Sequence, residues 1–432
     1  MRSSVRPRGF SLVELLVGAA VGSVVLVGIS LAFISQARQY QAHASRRAIQ
    51  ASSRQAMSFL ERTLNRAGYG VDPDRAIVPY DAFDSGTNVQ STGFPDAFAV
   101  HSRDPLFSRR VSKVETNRLE LTAPLTEELY RGQILLVLCP GAITYTYVTV
   151  GTPAEAGDSV IQLEHTVPAV DSPLGAPGAL FRDEARRLNP TVAACFTGAE
   201  LPTVVKVDRA AFYVASFDED GNPATPTTRP YLMLHRGLDL AGGADGKPDG
   251  VIDARDAVPL GDGIEQFQVA YILNTIHSSN PALEKTVPPL VGVVDGNIPT
   301  TAGGTRPWPF GEQWARTSTA DQPAYGDAYD SPRRVTAHPA NIRQVRLTLV
   351  ARSTVPDPQF AGDDALSPGA AWASGTYGGA TTWNQLENLG TAPSAKYDPR
   401  GGGFYRVVMR QAVTPKNLLT RSQFLPTTPG GG

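Results

Sequence analysis

The 432 residues carry 39 Lys and Arg against 41 Asp and Glu, for a formal net charge of -2, and they include 41 Gly and 35 Pro. At a net charge this close to neutral nothing suggests a nucleic-acid partner, which would want a basic face, and none is expected. With two cysteines, Cys139 and Cys195, a zinc ribbon or disulfide-dense scaffold is excluded as well, and the Gly and Pro content suits short strands in irregular loops better than a helical bundle.

In chain order, Arg2, Arg6 and Arg8 precede Gly9-Phe10-Ser11-Leu12-Val13-Glu14, and then come 20 uncharged residues from Leu15 to Ile34. At 1.5 Å per residue that run spans about 30 Å, the thickness of a bilayer's hydrocarbon core. Twelve of its residues are Leu, Ile, Val or Phe, worth about -4 to -7 kcal/mol together on an insertion scale, against about 3 kcal/mol for a glutamate near the edge. Insertion wins. The leading arginines keep their end cytoplasmic, so everything after Arg38 is exported. A plain signal anchor fits this pattern, and so does a secretory signal cut after Ser30-Leu31-Ala32. Neither has a use for Glu14.

Residues 36–67 lack Pro and Gly and are rich in Ala, Arg and Gln, which extends the helix past the membrane. Ile49, Ala56, Leu60, Leu64 and Ala67 form one apolar stripe, and Gly68-Tyr69-Gly70 ends the helix. Gly18 and Gly22 form a small-xxx-small pair that lets helices approach.

The stretch Gly9 to Glu14, with its basic leader and apolar sequel, resembles the class III signal of type IV prepilins. The resemblance implies a prepilin peptidase that cuts between Gly9 and Phe10 and methylates the new amine of Phe10, leaving the helix on the protein. It also implies that Glu14 pairs with the terminal amine of a neighbouring subunit; a charge in lipid is costly alone and tolerable when paired. A pair within one chain, a helical turn apart, is the competing reading. The expected organisation is a leader over 1–9 and a pilin helix over 10–67, transmembrane over 15–34. An exported head follows over 71–420, with an unordered tail over 421–432.

Beyond Val71 the period changes from helical to alternating, which marks half-buried antiparallel strands. Candidate strands are 97–102, 117–122, 133–139, 143–150, 159–164, 210–217, 231–236, 264–273, 342–353 and 404–413, with a turn at Asp218 to Asn222. Two tracts, about 274–340 and 356–403, have no sustained period and read as insertions. The expected class is α+β: a long N-terminal helix packed on an antiparallel, sheet-rich head with long loops.

The order AAFYVASF, YLMLHRG, GDGIEQFQVAYIL, NIRQVRLTLVARS and FYRVVMRQAVTPKNL is similar to PilW-type minor pilins of the type IV pilus. J-type minor pseudopilins of type II secretion are the nearest alternative. The resemblance implies assembly into a tip or priming complex, first in the inner membrane with a periplasmic head and then at the cell surface. Expected partners are other minor pilins, the major pilin and a PilY-type tip adhesin.

Asp245, Asp249, Val251, Asp253 and Asp256 stand at positions one, five, seven, nine and twelve of a stretch resembling an EF-hand or dockerin calcium loop. Lys247 departs from that pattern, and the same stretch also reads as a polar turn between strands. A calcium-binding, membrane-anchored adhesive module is therefore a second functional reading. An oxidising compartment would let Cys139 and Cys195 pair. The six histidines are scattered, with no HExxH pair, G-x-S-x-G elbow or P-loop, and no enzyme is expected.

Overall fold

A computed structural model describes residues 11–71, 76–80, 83–84, 89–90, 95–115, 117–139, 144–164, 181–182, 188–189, 201–217, 229–243, 246–273, 291–292, 342–353 and 404–419. Of the two tracts read as insertions, only Val291 and Gly292 fall among them; the Asp218–Asn222 turn and the 421–432 tail do not.

One helix, α1 (Leu12–Arg66), runs unbroken for 55 residues, about 80 Å at the standard rise. No proline interrupts it, and Ser11 caps its start. Its end is set where expected: Ala67 leaves helical geometry, and Gly68 follows at φ 78° with its N–H donating to His101 O at 3.0 Å. The stripe read from the sequence is the buried face. Ile49, Ala56, Leu60, Leu64 and Ala67 are buried, joined by Ser53 and Met57.

Strands β1 (Ile77–Tyr80), β2 (Phe83–Asp84), β3 (Val89–Gln90), β4 (Ala97–Val114), β5 (Arg118–Leu121) and β6 (Ile134–Cys139) follow the helix. Next come β7 (Thr144–Thr149), β8 (Val160–Gln162), β9 (Phe181–Arg182), β10 (Leu188–Asn189), β11 (Thr203–Phe217) and β12 (Arg229–His235). The last are β13 (Val258–Asp262), β14 (Ile264–Leu273), β15 (Val291–Gly292), β16 (Ile342–Arg352) and β17 (Arg406–Val413), closed by a short helix α2 (Lys416–Leu419). All described pairings are antiparallel. The α+β architecture expected from the sequence is the one observed.

The long strands β4 and β11 form a shared spine. Near Phe98 and Phe212 they join β1, β12 and β13 in a sheet under α1. At their other ends they belong to a six-stranded barrel, in the order β4, β5, β8, β7, β6, β11. Its closure is direct: Gly151 N–H donates to Gln162 O and Glu164 N–H to Thr149 O, both at 2.9 Å. Phe107, Val111, Leu119, Leu135, Val137, Val148, Ile161 and Val204 fill the interior. The sequence reading missed this barrel, because β4 was expected to stop before Asp104-Pro105 and instead continues to Val114, with a bulge in its pairing to β11.

A second sheet, β15-β14-β16-β17, adds to the core against the same buried stripe of α1. Phe267, Val269 and Tyr271 of β14 and Val345, Leu347, Leu349 and Ala351 of β16 share one core with the helix stripe. Gly263 joins the two sheets. It stands at φ 77°, where a Cβ would lie 2.5 Å from Arg352 O. Its N–H donates to Pro230 O at 2.9 Å, and its own carbonyl accepts from Arg352 N–H at 2.8 Å. Asp96 adds a second stitch, its carboxylate accepting from Val269 N–H at 2.8 Å.

The C-terminal motif returns to the helix. Asn417 Nδ2 lies 3.5, 3.4 and 3.2 Å from the carbonyls of Asn65, Arg66 and Ala67, the groups a helix end leaves without partners. Leu418 packs under Gly68. Replacing Asn417 by Leu is expected to destabilise the head by about 1–2 kcal/mol, read as a lower denaturant midpoint with an unchanged slope.

Candidate functional site

The helix meets two environments. From Leu12 to Gln41 every residue is exposed, including Leu15, Leu16, Val24, Leu26, Leu31 and Phe33, whereas from Ile49 onward one face is core. The first half is long and apolar enough to cross a membrane, and none of that stretch is buried by the rest of the protein. An apolar surface of this extent is not left to water.

At its start the helix closes a reciprocal capping box. Ser11 Oγ accepts from Glu14 N–H at 3.2 Å, and Glu14 Oε2 accepts from Ser11 N–H at 3.0 Å. Glu14 therefore has a local role that the sequence reading did not assign, though serine three residues before glutamate carries that signal. A carboxylate has about four acceptor sites, so the box leaves Glu14 capacity for an ammonium group. Gly9 and Phe10 lie outside the described residues.

The acidic loop between β12 and β13 is held by its own groups. Asp256 Oδ1 accepts from Leu240 and Ala241 N–H at 2.6 and 2.8 Å, and its Oδ2 accepts from Asp253 N–H at 2.9 Å. Arg255 bridges Asp249 at 2.8 Å and Asp253 at 2.6 Å, and this guanidinium holds the Asp253 carboxyl below its ordinary range. Asp249 Oδ1 accepts from Val251 N–H. Asp239, absent from the calcium reading, accepts from the N–H groups of Asp249 and Gly250. Asp245 lies outside the described residues, and among the described residues no group of three or more His, Cys, Asp or Glu is placed to hold a metal ion.

The loop covers His235, which is fully buried on β12. His235 Nδ1 accepts from Gly237 N–H at 2.8 Å, so its proton sits on Nε2, which donates to Asp253 O at 2.8 Å. Burial pushes this imidazole down to about 4. Cys139 ends β6, but its side chain and all of Cys195 lie outside the described residues.

A cleft of about 340 Å³ opens between the last turns of α1 and the barrel, lined by residues of both signs, among them Arg66, Glu127, Lys206 and Arg236. Lys206 bridges Asp104 at 2.8 Å and Glu127 at 2.9 Å, tying β11 to β4 and to the barrel rim.

A family-level comparison matches residues 6–30 to the prokaryotic N-terminal methylation motif. The match takes in Arg6 to Gly9, Phe10, Glu14 and most of the apolar run, and it supports a pilin- or pseudopilin-type protein anchored in a membrane by its N-terminal helix. No curated protein and no solved structure matches the chain.

Proposed function

We propose that the chain is a minor pilin of the type IV pilus, of the PilW type. Prepilin peptidase cuts between Gly9 and Phe10 and methylates the Phe10 amine. Glu14 then receives the amine of an adjacent subunit as the apolar stems bundle. The head, with its barrel, is too bulky for a repeating shaft, which favours a tip or priming position. There it would meet other minor pilins, the major pilin and a PilY-type adhesin.

One observation carries this reading: the methylation motif leads into a single uninterrupted helix, bare and apolar over its first half and built into the head's core over its second. A cleaved secretory signal has no reason to be continuous with the fold it exports. N-terminal sequencing of the processed protein tests it. The expected first residue is N-methylated Phe10, and Gly9→Val is expected to leave the leader attached. A chain starting at Phe33, or one keeping its leader beside an active peptidase, would overturn the proposal. Gene deletion separates the two machines: lost pili with normal secretion is the expected result, and the converse would make this a J-type pseudopilin.

A further inference from the structure

Between Gln36 and Ala67 the stem carries six arginines, Arg38, Arg46, Arg47, Arg54, Arg62 and Arg66, and one carboxylate, Glu61. The whole chain is at -2, so this concentration is local. Arg46 lies against the head, its guanidinium 4.7 Å from the Tyr405 ring centroid. Arg47, Arg54 and Arg62 differ: all three are exposed, at spacings of seven and eight, on the face opposite the buried stripe of Ile49, Ala56 and Leu60. Among the described residues none of the three is in an ion pair; Arg62 donates only to Ser58 Oγ, at 3.1 Å.

We infer that this row docks on an acidic helix of a different stem-bearing subunit, one with Asp or Glu at matching spacings. The inference rests on the assembly reading above. Lipid headgroups are too far away to be the partner. With Ile34 at the hydrocarbon edge, Arg47, Arg54 and Arg62 stand about 20, 30 and 42 Å beyond it, whereas a headgroup layer is about 5–8 Å deep and charges are screened over about 8 Å. A second copy of the chain is also disfavoured. Stems packed side by side would set arginine against arginine, and no stagger brings up a row of carboxylates, because Glu61 is the only one in the segment. The row thus repels self-association and selects an acidic neighbour, attraction and exclusion coming from the same three side chains.

The test places a photo-crosslinking amino acid at Ala51, an exposed position between Arg47 and Arg54, in the full chain, in cells that make the complete machinery. Irradiation is expected to give an adduct that mass spectrometry assigns to a helix of another polypeptide with acidic residues seven or eight apart. The R47E/R54E/R62E variant is expected to lower its yield at least tenfold, while R47K/R54K/R62K keeps most of it and both retain the parent melting temperature in detergent. An adduct to a second copy, to lipid or to this chain's own loops would overturn the inference. So would the absence of any adduct, an adduct to a helix without acidic residues, or a melting temperature that falls with charge reversal. N-terminal sequencing of the same preparation reports separately on processing. A chain correctly begun at Phe10 but crosslinked to itself would defeat the docking inference alone.

Discussion

Glu265→Ala is expected to destabilise the head by about 3–5 kcal/mol, the cost of breaking a buried ion pair by removing one of its members. Glu265 on β14 receives Arg406 Nε of β17 at 2.5 Å, with Arg352 Nε of β16 at 3.8 Å. The side chains of Glu265, Arg406 and Arg352 are 9%, 3% and 9% exposed, so water cannot replace the carboxylate. Both guanidinium groups also lie over Phe404, at 4.5 and 6.0 Å from its ring centroid, which holds them in place after the anion is gone. Denaturant unfolding of the full chain in detergent measures the loss. Replacing Glu265, Arg352 and Arg406 together by Leu should recover much of it, since an apolar cluster needs no desolvation of charge. A Glu265→Ala unfolding free energy within about 0.5 kcal/mol of the parent's would show that water reaches the site.

This cluster was not legible in the sequence, whereas the strands that carry it were. Alternation marked β14, β16 and β17 because each has one face on the core, and the period of two survives whatever partners the strands choose. The stem was legible for the same reason: its stripe at spacings of three, four and seven is local information. The barrel was not, because its closure depends on Gly151 meeting Gln162 and on β4 running past Pro105, neither of which is a local property. Asn417 was visible within its motif, yet its role needs the helix end some 350 residues earlier. The acidic loop shows a different limit. Spacing places carboxylates at calcium-like positions, but spacing cannot show that Asp256 is taken by the N–H groups of Leu240 and Ala241, or that Arg255 lies between Asp249 and Asp253. For the candidate site, the motif from Gly9 to Glu14 was fully visible. Its capping box could have been read from Ser11 and Glu14 alone.

The buried histidine under that loop leads to a prediction about acid. Because His235 Nδ1 accepts from Gly237 N–H while Nε2 donates to Asp253 O, the neutral ring satisfies both neighbours; a second proton would set N–H against N–H inside the fold. Burial, the largest cause, with the nearby Arg209 guanidinium, lowers the imidazole from 6.5 to about 4, against the opposing pull of the Asp253 carbonyl and the Asp253 and Asp256 carboxylates. The sign follows from proton counting. Between these two values the unfolded chain binds the proton and the folded chain does not, so stability rises with pH. The contribution is fully present above about pH 6.5, is lost progressively as pH falls, and levels off below about 4. The drop is about 3 kcal/mol at 1.36 kcal/mol per unit. Other groups titrate in the same range, so the measurement is a difference: stability against pH for the parent minus that for His235→Gln. That difference should slope between pH 6.5 and 4 and be flat above. Parallel curves across the window would mean that the loop already admits water to the ring, and that the 237–257 segment opens without cost to the rest of the head.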